Sequence, residues 1–160
     1  MAESKAAQST IRRKVEGGRQ LADGAPMTSS KALVQALGKS AQDLMALALR
    51  VGAVSQTRLS LAELIDSLEE AALLAVLEGP QDSLGLAVLS PTVLAGLIEM
   101  QTMGRLGLAP APRRRPTRTD AAMSAAFIDG FLREFEQSLA ETAEITWAHG
   151  YRYASFLDDP

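Results

Sequence analysis

The sequence predicts a domain of the α/β class, with α+β as the neighbouring alternative, and three observations carry that expectation. Apolar residues recur at helical spacing in Leu33, Leu37, Ala41, Leu44 and Ala48, and again in Ile128, Phe131, Leu132, Phe135 and Leu139. Compact apolar runs bounded by turn residues lie between them, Leu84 to Leu89 being the clearest. The two kinds of element alternate along the chain, which favours mixed layers over a helical bundle. A chain of 160 residues suits one domain with its own core. Its hydrophobic share is 47% but its aromatic share only 4%, so that core must be built mostly from Ala, Leu, Val and Ile.

Taken in order, residues 1–28 are small, polar and glycine-containing, and they bury too little apolar surface to offset the entropy of ordering. They are read as a flexible N-terminal arm ahead of a domain spanning 29–160. The first helix takes Ser29 or Ser30 as its N-cap and ends near Arg50. Val51 to Leu59 reads as a short strand. Ser60 and Glu63 then form a capping box, flanked by Leu59 and Leu64 at the hydrophobic staple positions, so a helix begins at Leu61. From Glu69 to Glu78 helical propensity competes with the buried-strand character of Leu73-Leu74-Ala75-Val76-Leu77, and periodicity alone does not choose. Gly79 and Pro80 break the chain, and Leu84 to Leu89 follows as a strand. Ser90 as N-cap and Pro91 at the first helical position open the next helix, with Leu94, Leu97, Ile98 and Gln101 on one face. Leu106 to Pro116 is an exposed loop that Pro110, Pro112 and Pro116 keep out of helix. Thr117 and Asp120 open the last helix. Ile145-Thr146-Trp147 and Tyr151-Arg152-Tyr153 have strand-like content on either side of Gly150.

The residue inventory excludes more chemistry than it offers. There is no cysteine, hence no disulfide, no thiolate nucleophile and no cysteine-ligated metal, and His149 is the only histidine. No serine stands in a nucleophile elbow. A formal charge of −3 gives no attraction to nucleic acid. No apolar run approaches the ~20 residues of a membrane span and the start carries no secretory signal, which predicts a cytoplasmic protein. His149 is read as an ordinary packed or exposed histidine. Asp66, Glu69 and Glu70, like Asp158 and Asp159, are read as solvated charge rather than a hard-cation site. Arg113, Arg114, Arg115 and Arg118 form the one dense basic patch, either an anion or partner site or a solvated loop. Arg12-Arg13-Lys14 is less specific still, and Met45, Met100 and Met103 are read as core filling. No enzymatic activity, metal or cofactor is expected.

From Gly85 to Asp120 the order of features resembles the middle domain of the FliM/FliN family of flagellar motor switch proteins, in its alphaproteobacterial form. The strand Leu84 to Leu89 is followed by Ser90-Pro91-Thr92-Val93-Leu94, then Met103-Gly104-Arg105-Leu106-Gly107, then Arg115-Pro116-Thr117-Arg118-Thr119-Asp120. The resemblance extends over roughly Ser29 to Pro160. It implies an α/β/α sandwich of the CheC-like type, only part of the full pseudo-symmetric domain and truncated at its C-terminus. It further implies a structural subunit of the flagellar C-ring, taking part in torque generation, rotation switching and chemotaxis through protein contacts. FliG-like and FliN-like proteins and copies of itself would be its partners, at the basal body on the inner face of the membrane. The family's FliG-contacting loop, usually Gly-Gly-x-Gly, corresponds to Met103, Gly104, Arg105 and Gly107 with one glycine displaced. Side-by-side assembly would use the outer faces of the helices Lys31 to Leu49 and Thr117 to Leu139. Related CheC-type phosphatases position water with a Glu and an Asn, and this chain contains no asparagine. The family's CheY-capturing motif is missing from the first 20 residues, and the similar Leu59 to Asp66 is accounted for as a capped helix start, so CheY binding is not expected. The alternatives are a type III secretion cytoplasmic ring component and a phosphate-ligand-binding domain using Arg113 to Arg118.

Overall fold

The computed structural model describes residues 27–107, 113–140 and 149–158. Among them lie four α-helices and three strands: α1 (Ser29–Met45), α2 (Leu61–Asp66), β1 (Leu73–Glu78), β2 (Leu84–Leu89), α3 (Pro91–Met103), α4 (Arg118–Ala140) and β3 (Arg152–Leu157). The strands form one antiparallel sheet in the order β2-β1-β3, so the mixed class expected from the sequence is the class observed.

The helix starts are written in local chemistry. Thr28, not Ser29 or Ser30, caps α1 by accepting a hydrogen bond from the Lys31 amide at 3.3 Å, one residue earlier than the sequence indicates. The Ser60–Glu63 box is reciprocal: the Glu63 amide donates to Ser60 Oγ at 3.3 Å, and the Ser60 amide donates to Glu63 Oε2 at 2.7 Å. The Ser60 amide bond to this carboxylate, and after it the Ser60 hydroxyl donating to the same oxygen at 2.7 Å, hold the Glu63 carboxyl below its usual range. Ser90 caps α3 with Pro91 at the first position, as expected.

Two further expectations about the elements fail. α1 stops at Met45 rather than near Arg50, because Ala46 turns into the left-handed region (φ 51°). The amides of Ala46 and Leu47 then return to the carbonyls of Gln42 and Ala41, so the end is satisfied without a glycine. Val51 to Leu59 forms no strand, since β1 already has a partner on each side and the segment finds none. The contest over Glu69 to Glu78 is decided for strand at Leu73–Glu78, with α2 ending at Asp66. Ile145-Thr146-Trp147 and the arm before Met27 lie outside the described residues.

Strand alternation assigns the two faces of the sheet. Leu73, Ala75 and Leu77 of β1, with Leu89 of β2, point into the helical layer and pack with Ala41, Leu94, Leu97, Ala121, Phe127 and Ile128. The opposite face carries Leu74, Val76, Leu84, Leu86, Val88 and Leu157. β3 joins with a bulge: Val76 faces Ser155 and Leu77 faces Tyr153, leaving Ala154 as the extra residue.

α1 and α4 lie against each other along a seam of small residues that lets the backbones approach. Ala32, Ala36 and Ser40 of α1 are 0%, 1% and 1% exposed; Ala32 and Ala36 cluster with Phe135 and Leu139, and Phe131 stacks on Phe135 at 5.7 Å. Lys39 bridges the seam to Glu134, and this bond raises the Lys39 pKa above its usual value. Among the described residues, buried Ser40 Oγ has no hydrogen-bond partner. Ser40→Ala is therefore expected to stabilise the fold by about 1 kcal/mol, through relief of the desolvation penalty and better helix propensity. A higher urea midpoint at unchanged m is the readout, and a lower midpoint would refute it.

Candidate interaction surface

The loop that closes α3 is built by two backbone devices. Gly104 sits at φ +67°, ends the helix and donates its amide to the Met100 carbonyl at 3.0 Å. Three residues on, the Gly107 amide donates to Glu99 Oε2 at 2.7 Å, folding the loop back onto the helix. A side chain at Gly107 would crowd that carboxylate, since an added Cβ would lie 3.3 Å from both its oxygens; at Gly104 the space is open and only the positive φ resists substitution. Met103 and Leu106 are 54% and 51% exposed, so Met103 is presented outward rather than filling the core as read from the sequence. Met45 does pack against the core, and Met100 is half-buried. Gln101 ties α3 to α4 by donating to the Met123 carbonyl at 2.9 Å.

The arginine segment is drawn into intramolecular pairs. Arg114 donates to both carboxylate oxygens of Asp120, with Nη2 to Oδ1 at 2.8 Å. Asp120 Oδ2 also accepts from the Thr117 amide and hydroxyl, each at 2.8 Å, which completes the helix start expected at Thr117. The Arg114 hydrogen bonds, seconded by those from Thr117 and opposed by burial, lower the Asp120 pKa from 3.8 to about 2. The same pairing raises that of Arg114. Arg113 reaches Glu69 at 3.4 Å, although both side chains stay largely in water. Arg115 joins Glu69, Glu70, Ile65, Leu74 and Leu157 around an open cleft of about 290 Å³. That volume is at the lower margin of small-molecule sites, which run to roughly 300–1,000 Å³. Arg118 begins α4 and is exposed. Thus the glycine loop is anchored to Glu99, while Arg113 and Arg114 are anchored to Glu69 and Asp120.

His149 lies in the turn before β3, not in a strand. Its Nδ1 is 3.3 Å from Glu136 Oε1, and the second oxygen of Glu136 accepts from the Gly150 amide at 3.3 Å. Gly150 has φ +74° and lies in that turn. With Tyr153 donating its amide to Asp129 Oδ1 at 2.7 Å, these bonds pin the entry of β3 onto α4. Glu99, Glu136 and Glu69 were invisible to sequence reasoning as partners, because nothing in their spacing marks them.

Among the described residues no group of three or more His, Cys, Asp or Glu side chains is placed to hold a metal ion, and no helix is long and apolar enough to cross a membrane. No family model, curated protein or solved structure matches this chain.

Proposed function

We propose that the chain is a non-catalytic structural subunit of a flagellar motor switch ring, making its contact with a FliG-like protein through the loop that closes α3. The observation that carries this reading is the outward presentation of exposed Met103, Arg105 and Leu106 on a turn braced by Gly104 and by the Glu99–Gly107 bond. A pre-organised apolar and basic knob loses little entropy on docking, which suits a protein contact better than catalysis. The resemblance supplies the nature of the assembly: a CheC-like α/β/α sandwich whose further layer would lie across the outer face of the sheet. It also supplies FliN-like neighbours, lateral contacts between copies along the outer sides of α1 and α4, and a place at the basal body on the inner face of the membrane. The engagement of Arg113 and Arg114 by Glu69 and Asp120 weakens the phosphate-ligand alternative.

Met103→Glu combined with Arg105→Glu should weaken capture of a purified FliG-like protein at least about tenfold, equivalent to ~1.4 kcal/mol. Far-UV circular dichroism should be unchanged, since both side chains are exposed. Undiminished capture would remove the loop from the interface. Deletion that abolishes motility but spares secretion supports the flagellar ring, and the reverse phenotype would assign the chain to a type III secretion ring.

A further inference from the structure

Of three consecutive arginines, two are engaged: Arg113 meets Glu69 and Arg114 holds Asp120. Arg115 has no ion pair or side-chain hydrogen bond among the described residues. Pro116 keeps the residue before it extended, and Arg115 borders the cleft of about 290 Å³ between the α2–β1 connection and the end of β3. Glu70 and Asp158 line the same cleft and are equally unpaired. Local structure places them there. The Ala72 amide returns to the Glu69 carbonyl at 3.1 Å and Ala71 takes φ 61°, a turn that carries the chain into β1. Leu74 lies opposite Leu157, so Asp158 leaves the sheet at the end where this turn enters it. Charges of both signs thus line one cleft, and none is within ion-pairing distance of another. Apart from Glu69, which Arg113 engages, the remaining lining is apolar, with Leu74 buried and Leu68 and Phe156 half-buried.

We propose that this cleft binds a free α-amino acid with an apolar side chain. Its carboxylate meets Arg115, its ammonium meets Glu70 and Asp158, and its side chain lies on Leu68, Leu74 and Phe156. The ligand class follows from the unpaired charges. A simple anion would satisfy Arg115 but bring its charge beside two carboxylates, and a simple cation would leave the arginine unmatched. A peptide terminus carries only one of the two charges. A zwitterion answers both signs within one small molecule, and an apolar body displaces water from the leucines and the phenylalanine. The guanidinium receives a carboxylate through two parallel hydrogen bonds, which fixes orientation as well as adding affinity. The size agrees, because a cleft at the lower margin of small-molecule sites suits a ligand of few atoms.

The proposal is independent of the FliG-like contact and is read by ligand binding alone. Isothermal titration of the full chain with L-leucine should show saturable binding with a Kd at or below about 1 mM. Two analogues of the same shape each lack one charge: isocaproate has no ammonium and leucinamide has no carboxylate. Each should bind at least about tenfold more weakly than leucine, and so should glycine, which lacks the apolar side chain. Arg115→Gln should weaken leucine binding at least about tenfold, as should Glu70→Gln combined with Asp158→Asn. All three residues are exposed, so the urea midpoints of these variants should stay at that of the unaltered chain. No saturable binding of leucine up to about 10 mM overturns the proposal. Isocaproate or leucinamide binding as tightly as leucine also overturns it, since one charge would then suffice. So does leucine binding indifferent to the substitutions, which would place the ligand elsewhere.

Discussion

Leu73→Ala is expected to lower the unfolding free energy by about 3–4 kcal/mol, in the upper part of the range for a buried leucine. Leu73 is 0% exposed, begins the central strand, faces the helical layer and lies opposite Leu89, which is itself buried. Because β1 is laddered on both sides, the backbone cannot move in to fill the space, so the cavity cost adds to the lost transfer energy. Chemical denaturation should show a lower midpoint at unchanged m. Leu84→Ala, at a position 71% exposed, is the control and should change stability by less than about 0.5 kcal/mol. If the two leucines prove equal, the assignment of sheet faces is wrong.

The second large effect is at Asp120. Its side chain is 5% exposed and accepts from both Arg114 and Thr117, so Asp120→Ala removes a helix cap and leaves a guanidinium and an amide without their acceptor. A loss of about 2–3 kcal/mol is expected at neutral pH. The sign of the pH dependence follows from the direction of the shift. A carboxyl whose folded pKa lies below its unfolded value binds its proton more weakly when folded, so its contribution is full above pH ~4 and disappears as the pH falls towards 2. At ~1.4 kcal/mol per unit, discounted because Arg114 is half in water, the titrating part amounts to about 1–2 kcal/mol. Asp120→Asn should therefore lose stability at pH 7 while flattening the decline between pH 4 and 2. An unchanged acid limb would show that the pair does not couple to folding.

What the chain discloses in sequence is what is decided within a few residues. The Ser60–Glu63 box, the Ser90-Pro91 start and the Thr117–Asp120 start are all reciprocal or adjacent arrangements, and all three are found in place. The Leu84–Leu89 strand was legible for the same reason, since turn residues bracket it. The end of α1 was not, because an alanine rather than a glycine takes the left-handed position at 46 and composition carries no sign of it. Val51 to Leu59 has the content of a strand but lacks a neighbour, and neighbours are a tertiary property. The candidate site divides the same way. Gly104 as a helix terminator and Asp120 as a cap are local, whereas the hold of Glu99 on Gly107, of Glu69 on Arg113 and of Glu136 on the turn at His149 depends on how the elements pack. Exposure of Met103 is likewise settled only once α3 has chosen the face it buries.

The order β2-β1-β3 also sets a sequence of events. β1 and β2 are joined by a turn in which Gln81 and Asp82 both take the left-handed conformation that matches the natural twist of two strands, so this hairpin closes over a short loop. The other neighbour of β1 is separated from it in the chain by α3 and α4 and must return across more than half the domain. Contacts of that separation are slow to form. The ties from Asp129 and Glu136 at the start of β3 thus hold in register the strand whose pairing spans the longest stretch of chain.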